Sequence, residues 1–155
     1  MKKRMFCILT LLLTMVTQGA WAQGSTDPWY SGNTQLQLNE GVLTVSAMAN
    51  TNGAMSDNLL LGDRAWHDYC GQITRVVVEE GVTTIGKGAF QRFTDLTSVS
   101  LPASLSEIHA QAFDGCSSLT AITIPSGVTK VSAGAFSSCN VLAHVYCYAN
   151  PNNLT

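Results

Sequence analysis

Apolar and polar residues repeat along the second half of the chain with a period of 23 residues. Three segments align without a gap, and they read ITRVVVEEGVTTIGKGAFQRFTD at 73–95, LTSVSLPASLSEIHAQAFDGCSS at 96–118 and LTAITIPSGVTKVSAGAFSSCNV at 119–141. A fourth, partial unit covers 142–155. One such unit cannot bury its own apolar side, whereas stacked units join each apolar column into a continuous row through a core. The pattern therefore predicts a solenoid.

Eight positions of the unit are apolar or small in each of the three complete copies. The columns are Ile73/Leu96/Leu119/Leu142, Val76/Val99/Ile122/Val145, Val78/Leu101/Ile124/Cys147, Val82/Leu105/Val128, Ile85/Ile108/Val131, Ala89/Ala112/Ala135, Phe90/Phe113/Phe136 and Phe93/Cys116/Cys139. Eight matching columns in gapless copies do not arise by chance, so the repeat decides the fold.

Each unit opens with an alternation of period two, which is typical of a short strand. Pro102 and Pro125 follow two of these strands, where a residue without an N–H group does not interrupt the ladder. A second short extended piece is expected next, and then a brief helical turn carrying Ala-Phe, with Ser132 as a candidate cap. The second pieces end at Ile85, Ile108 and Val131. The predicted fold is an α/β solenoid with a parallel sheet on one face, its strands ~4.8 Å apart.

A β-hairpin is predicted upstream of the repeats. The sequence QLQLNEGVLTVS at 35–46 alternates on both sides of Asn-Glu-Gly, a typical turn sequence. A terminal repeat needs such an element, because its core side and sheet edge are otherwise open. We therefore assign 33–72 to an N-terminal hairpin cap and 23–32 to a leader.

The first residues, 1–22, have the layout of a secretory signal peptide. A basic MKKR start is followed by an apolar stretch at 5–16 and by A-W-A at 20–22. A short membrane anchor is the alternative, but the apolar stretch is shorter than the ~20 residues of a membrane span. Cleavage after Ala22 predicts an exported protein without a membrane span.

The composition is that of one modest domain. The chain has 155 residues, of which 46% are hydrophobic and 12% are charged, and this apolar fraction excludes disorder. The net charge of −2 argues against a nucleic-acid partner, since such proteins normally carry a basic surface.

The unit L-T-x-V-x-I-P…V-x-x-I…A-F-x-x-C resembles the BspA-like class of bacterial leucine-rich repeats. The resemblance runs from Ile73 to about Pro151 and extends more weakly into the hairpin segment. One departure is that Gly81, Ser104 and Gly127 stand where the general leucine-rich repeat has Asn or Cys. The resemblance implies a leucine-rich-repeat solenoid and a cell-surface protein that contacts host proteins or other cells.

Four cysteines follow the predicted cleavage site, and export permits disulfides. Cys116 and Cys139 are neighbours in one column, which places them within disulfide reach. The alternative is a pair of buried thiols acting as small hydrophobic side chains, which Phe93 in the same column favours. The redox state of Cys70 and Cys147 stays open.

No residue pattern points to catalysis or to a cofactor. His67 and Cys70 form one close His/Cys pair, whereas zinc usually takes two such pairs, so no metal site is expected. The sequence has no Gly-x-Ser-x-Gly nucleophile elbow and no phosphate-binding glycine loop. We therefore expect neither an enzyme nor a cofactor.

The outward positions of the first strands form a candidate binding row. Its members are Arg75, Val77, Ser98, Ser100, Ala121, Thr123, His144 and Tyr146. Solenoids bind partners on such rows, and binding hot spots favour Tyr and Arg, which singles out Arg75 and Tyr146. A merely solvated sheet is the alternative.

The sequence thus predicts a non-catalytic secreted or cell-surface module for protein–protein interaction of the adhesion type, with a protein partner on a host or a cell surface. One alternative is a spacer forming the N-terminal part of a longer surface protein, and another is an exported hydrolase. We expect a monomer that can associate through its C-terminal edge at 142–148, where one strand edge is unpaired.

Overall fold

The computed structural model describes residues 28–57, 65–150 and 152, so the proposed signal peptide lies outside the described residues. The strands are β1 (Trp29–Ser31), β2 (Thr34–Asn39), β3 (Val42–Ala47), β4 (Arg75–Val78), β5 (Thr84–Ile85), β6 (Ser98–Ser100), β7 (Glu107–Ile108), β8 (Ala121–Ile124), β9 (Lys130–Val131) and β10 (His144–Cys147). A 3-10 helix spans His67–Tyr69. The repeats wind into a β-solenoid, as predicted.

The predicted hairpin is confirmed. β2 and β3 pair antiparallel, with Asn39 opposite Val42 at the closed end. Glu40 and Gly41 connect the strands with φ values of 47° and 79°. A turn with two successive positive φ values matches the twist of the flanking strands. Glycine adopts a positive φ readily, which explains Gly41 at the second position of this turn.

A third antiparallel strand precedes the hairpin. Trp29–Ser31, part of the segment that the sequence assigned to the leader, forms β1 and pairs with β2. The side chain of Thr34 is buried and its hydroxyl donates to the carbonyl of Ser31 at 2.7 Å. The inward ring of Trp29 lies 5.2 Å from that of Tyr69, which packs this strand against the loop before the first repeat.

The hairpin is continuous with the repeat sheet. β3 pairs in parallel with β4, Val42 lying opposite Arg75, and β4 pairs in parallel with β6. β8 and β10 form a further parallel pair. β6 and β8 are neighbours in space, but no ladder of hydrogen bonds joins these two described strands. The sequence predicted a single parallel sheet on this side of the solenoid. In the structure this sheet is divided into two hydrogen-bonded parts, because β6 and β8 are not joined.

The second short extended pieces form a sheet of their own. β5, β7 and β9 pair in parallel, with Thr84, Glu107 and Lys130 aligned. Ala54 adds a parallel bridge to Thr84 at the edge of this sheet. The second sheet thus also begins with residues that precede the repeats.

The expected brief helical turns are hydrogen-bonded turns instead, and apart from His67–Tyr69 the described ranges contain no helix. The N–H groups of Phe90 and Arg92 donate to Ala112 and Asp114 of the next coil, at 2.8 and 2.7 Å, rather than within a helix. Arg92 also has a left-handed φ of 62°, which a right-handed helix cannot contain. Ser132 accordingly caps no helix, and the α component of the fold is small.

The core follows the predicted columns. Phe90 and Phe113 are fully buried and stack with ring centroids 5.2 Å apart, and Phe113 stacks on the half-buried Phe136 at 5.4 Å. Trp66 closes the first coil, because its indole N–H donates to the carbonyl of Ala89 at 2.9 Å. The predicted rows are present through the three complete coils, whereas Val145 and Cys147 of the partial fourth coil are exposed.

Candidate functional site

The candidate binding row lies on the outer face of the first sheet. Burial alternates along the strands that carry the row: in β4, Val76 and Val78 are buried while Arg75 is exposed and Val77 is half-buried. The same alternation in β8 buries Ile122. The row pairs across the strands as Arg75 with Ser98, Val77 with Ser100, Ala121 with His144 and Thr123 with Tyr146. Geometry therefore brings these residues to one surface, which we call the outer face.

The outer face extends further than the repeats alone predicted. Because β3 pairs with β4, Val42 and Thr44 continue the row beyond Arg75 and Val77. On β1, Tyr30 is 62% exposed, and it lies opposite Gln35 of β2. Alternation within the hairpin could have indicated these outward residues, but no sequence signal showed that β3 would run parallel to β4.

Aromatic side chains are concentrated at the C-terminal end of the outer face. The rings of His144 and Tyr146 stack with centroids 6.1 Å apart. Tyr146 is 53% exposed, and it offers both an apolar ring and a hydroxyl. On β4, the exposed Arg75 forms no salt bridge with any other residue of the described ranges. The outer face thus offers a cation on β4 and an aromatic pair on β10.

At the C-terminal end of the described solenoid, the last strand is exposed on both faces. All four residues of β10 are exposed, including Val145 and Cys147, which occupy core columns of the repeat. Val145 is 53% exposed, whereas Ile122 one coil earlier is 2% exposed. Among the described strands, β10 pairs only with β8 and only along one edge, so no described strand pairs with its other edge.

A second cluster lies on the other sheet and was not found from the sequence. His109 follows β7, and its ring nitrogen Nδ1 is 2.6 Å from Oδ1 of Asp57. Its other nitrogen, Nε2, is 3.0 Å from Oε2 of Glu107, whose carboxylate also lies 3.5 Å from Nζ of Lys130. The spacing of 52 residues between His109 and Asp57 hides this contact from any local motif.

The charges in this cluster stabilise one another. Burial disfavours charge on His109, but hydrogen bonds to Asp57 and Glu107 outweigh it and raise the pKa of the imidazole. Burial also opposes ionisation of Asp57, and hydrogen bonds from His109 and the Lys87 amide nevertheless lower the pKa of that carboxyl. The hydrogen bond from His109 is the main cause that lowers the pKa of Glu107.

No disulfide joins any two of the four described cysteines, Cys70, Cys116, Cys139 and Cys147. The thiols of Cys116 and Cys139 donate to the carbonyls of Phe90 and Phe113, at 3.3 and 3.1 Å. Burial raises the pKa of Cys139 and disfavours its thiolate. Cys70 is half-buried and Cys147 is exposed. In the two described ranges no three His, Cys, Asp or Glu side chains converge as a metal site would require.

The fold and the outer face define a leucine-rich-repeat β-solenoid. Residues 61–155, more than half of the chain, match the family described as "BspA type Leucine rich repeat region (6 copies)". The chain therefore belongs to the BspA-type leucine-rich repeat family, and the resemblance seen in the sequence is confirmed.

Two solved structures show the same fold. A leucine-rich repeat protein from Eubacterium ventriosum is 18% identical, with a TM-score of 0.57 over 79% of this chain and 43% of that chain. A second, from Bacteroides capillosus, is 23% identical, with a TM-score of 0.51 over 77% of this chain and 97% of that chain. The chain thus spans less than half of the first protein and nearly all of the second. No curated protein matches it.

No helix among the described residues is long and apolar enough to cross a membrane.

Proposed function

We propose that this chain is a non-catalytic, secreted or surface-exposed module that binds a protein partner through its outer face. The observation that carries the proposal is the row of outward side chains from Arg75 to Thr123 on β4, β6 and β8, whose opposite sides pack against the core, and its continuation by the exposed His144 and Tyr146 on β10. A row on a rigid sheet binds without a large ordering cost, because its backbone is already fixed. Arg75 and Tyr146 are of the residue types that dominate binding energy.

Export supports the same function. The basic, apolar and A-x-A segments of residues 1–22 form the proposed signal peptide, and cleavage after Ala22 would release the module outside the cytoplasm. The proposed partner is a protein of a host or of another cell surface.

The proposal is tested by photo-crosslinking on intact cells. A photoreactive residue replaces Ser98 on the outer face or, as the control, the exposed Ala133 on the turn side of the solenoid. We expect crosslinks to a defined protein only from position 98, and unlabelled wild-type protein should compete them away. Equal crosslinking from both positions would contradict the proposal.

A matched pair of arginines tests the same surface by affinity. Arg75→Ala and Arg92→Ala each remove one exposed guanidinium, the first from the outer face and the second from the turn side. We expect Arg75→Ala to weaken binding of the crosslinked partner by about 1–3 kcal/mol and Arg92→Ala to leave it unchanged. Equal losses of affinity would show that the arginine charge contributes to binding from either side of the solenoid, which would contradict binding through the outer face.

A second candidate function is that of a spacer in a longer surface protein. The exposure of Val145 and Cys147 in core columns favours it, since a following coil would cover both side chains. The two functions differ in one readout. In the spacer, Arg75→Ala has no effect on cell binding, whereas it weakens binding in the interaction module.

A further inference from the structure

The segment 53–57 lies along the edge of the second sheet, and we call it the strap. Ala54 forms a parallel bridge with Thr84, and the Met55 N–H donates to the carbonyl of Thr84 at 3.2 Å. The side chain of Met55 is buried in the core. The strap therefore takes the place of a coil preceding β5, although its sequence does not follow the repeat.

The strap packs against the backbone at two glycines, Gly32 and Gly86. A Cβ atom at Gly86 would stand 1.9 Å from the carbonyl oxygen of Ser56. A Cβ atom at Gly32 would stand 2.6 Å from the carbonyl oxygen of Ala54. Both distances are far below van der Waals contact, so these two glycines create the space that the strap occupies.

Asp57, at the end of the strap, connects it to two successive coils. Its Oδ1 accepts a hydrogen bond from the Lys87 backbone N–H at 2.7 Å and lies 2.6 Å from Nδ1 of His109. Nε2 of His109 lies 3.0 Å from Oε2 of Glu107. Carboxylates only accept hydrogen bonds, so both contacts are hydrogen bonds only when both ring nitrogens carry protons. The arrangement therefore fits the imidazolium form.

The other charged groups around His109 are lysines. Lys87 from the preceding coil and Lys130 from the following coil line a cleft of about 240 Å³ together with Asp57 and His109. Nζ of Lys130 is 3.5 Å from the Glu107 carboxylate, so it partly offsets that negative charge. The two carboxylates are nevertheless the groups in direct contact with the ring.

We propose that Asp57, His109 and Glu107 form a pH-sensitive latch that holds the strap on the second sheet while His109 is protonated. Loss of one ring proton to solvent leaves a single N–H. One carboxylate then faces a nitrogen lone pair, and the attraction of the positive charge is lost for both. The strap is thereby loosened at Asp57, while the backbone contacts of Ala54 and Met55 remain.

The direction of the pH effect follows from linkage. The pKa of His109 is raised on folding, so its contribution is complete below the unfolded value of about 6.5 and is lost as pH rises through the folded value. The pKa values of Asp57 and Glu107 are lowered, so their contributions are lost only when the pH falls through the lowered folded pKa values of these carboxyls. The latch is therefore closed below the ordinary pKa of an imidazole and opens as the pH rises through the raised folded pKa of His109.

Hydrogen exchange of the strap tests this proposal. In the wild-type protein, exchange at the amides of Met55 and Lys87, corrected for intrinsic rates, is compared between mildly acidic and mildly alkaline pH. We expect protection to fall by up to about tenfold for each unit by which the folded pKa of His109 exceeds its ordinary value. His109→Gln should abolish this pH dependence, and His144→Gln, which changes a histidine of the outer face, should retain it.

A second measurement keeps the proposal testable if His109→Gln does not fold. The His109 ring is titrated by NMR in the wild-type protein and in Asp57→Asn. We expect the apparent pKa to lie above about 6.5 in the wild type and to fall in the variant. Strap protection that is independent of pH in the wild type, or an unchanged His109 titration in Asp57→Asn, would overturn the latch.

Discussion

The same repeat column is buried at one end of the solenoid and exposed at the other. At the N-terminal end, β3 covers β4, and Val76 is fully buried beside Leu43. At the C-terminal end, Val145 occupies the same column of the unit and is 53% exposed. The chemistry of the side chain is identical, so burial here is set by the neighbouring coil. An apolar column in a repeat sequence therefore specifies the position of a side chain in its coil but not its contribution to stability.

The largest effect is expected in the middle of the solenoid, where both neighbours are present. Phe113→Ala removes the ring that stacks between Phe90 and Phe136, and we expect a loss of about 3–5 kcal/mol in the free energy of unfolding. Phe136→Ala, at a half-buried position, should cost clearly less. Urea denaturation measures both variants. A thermal midpoint shifted by only a degree or two in Phe113→Ala would show that the column is not core.

A valine pair makes the comparison between the ends directly. Val76→Ala should cost about 1.5–3 kcal/mol, the value of burying a valine side chain, whereas Val145→Ala should stay within about 0.5 kcal/mol. Both are measured as changes in the free energy of unfolding. Equal losses would mean that the C-terminal column is covered in solution, for example by association of two chains through β10.

The strap helps to cover the N-terminal end of the solenoid, and a substitution at Gly86 tests how closely it packs there. Gly86→Ala places a methyl group against the Ser56 carbonyl, and we expect a loss of about 1–3 kcal/mol, as for overpacking. Gly71→Ala is the matched control, because the nearest atom to its new Cβ is 3.8 Å away. If the two variants are equally stable, the strap does not lie against Gly86.

Hydrogen exchange compares the ends without mutation. Amides at 143–147, in a strand with one neighbour, should be less protected than those at 97–101, since terminal repeats open first. We expect this difference in a dilute monomer. Equal protection there would show that the C-terminal tail already covers the edge.

The smallest effect concerns the thiols. We expect Cys116 and Cys139 to be reduced in the native protein, because each donates to a backbone carbonyl and burial raises the pKa of Cys139. Alkylation of the native protein should label the exposed Cys147 first. Mass spectrometry after unfolding without reductant shows whether the two cysteines are paired. A deficit of two protons in Cys116 and Cys139 would contradict the prediction that both are reduced.

The repeat made much of this fold predictable. Contacts such as Phe90 on Phe113 recur at a fixed spacing, so one period places every column, and the alternation around Glu40 and Gly41 placed the hairpin. The contact between Asp57 and His109 could not be predicted, because it joins a non-repetitive segment to a repeat across 52 residues. The turns were wrongly predicted to be helical. Arg92 and Gln111 adopt a left-handed backbone conformation there, and nothing in the sequence indicates it, because neither residue is glycine or asparagine.

The placement of the outer-face side chains was predictable to a similar extent. Alternation identified the outward side chains of β4, β6, β8 and β10, since a strand sends successive side chains to opposite faces. The sequence could not show that the hairpin would extend this row, because antiparallel and parallel pairing of β3 are equally compatible with its alternation. It also could not show the lack of a ladder between β6 and β8, for which the residues offer no physical reason.

The parallel pairing of β3 with β4 has a consequence for the order of folding. Each later coil must close a loop of similar length to pair with its predecessor, so the entropic cost of adding a coil hardly changes along the chain. The hairpin of β2 and β3, in contrast, closes through a two-residue turn, as does the pairing of β1 with β2, and these are the most local strand pairings among the described residues. Folding is therefore expected to start at β2 and β3 and to proceed coil by coil towards β10. During synthesis, each new coil would meet a finished template as it emerges.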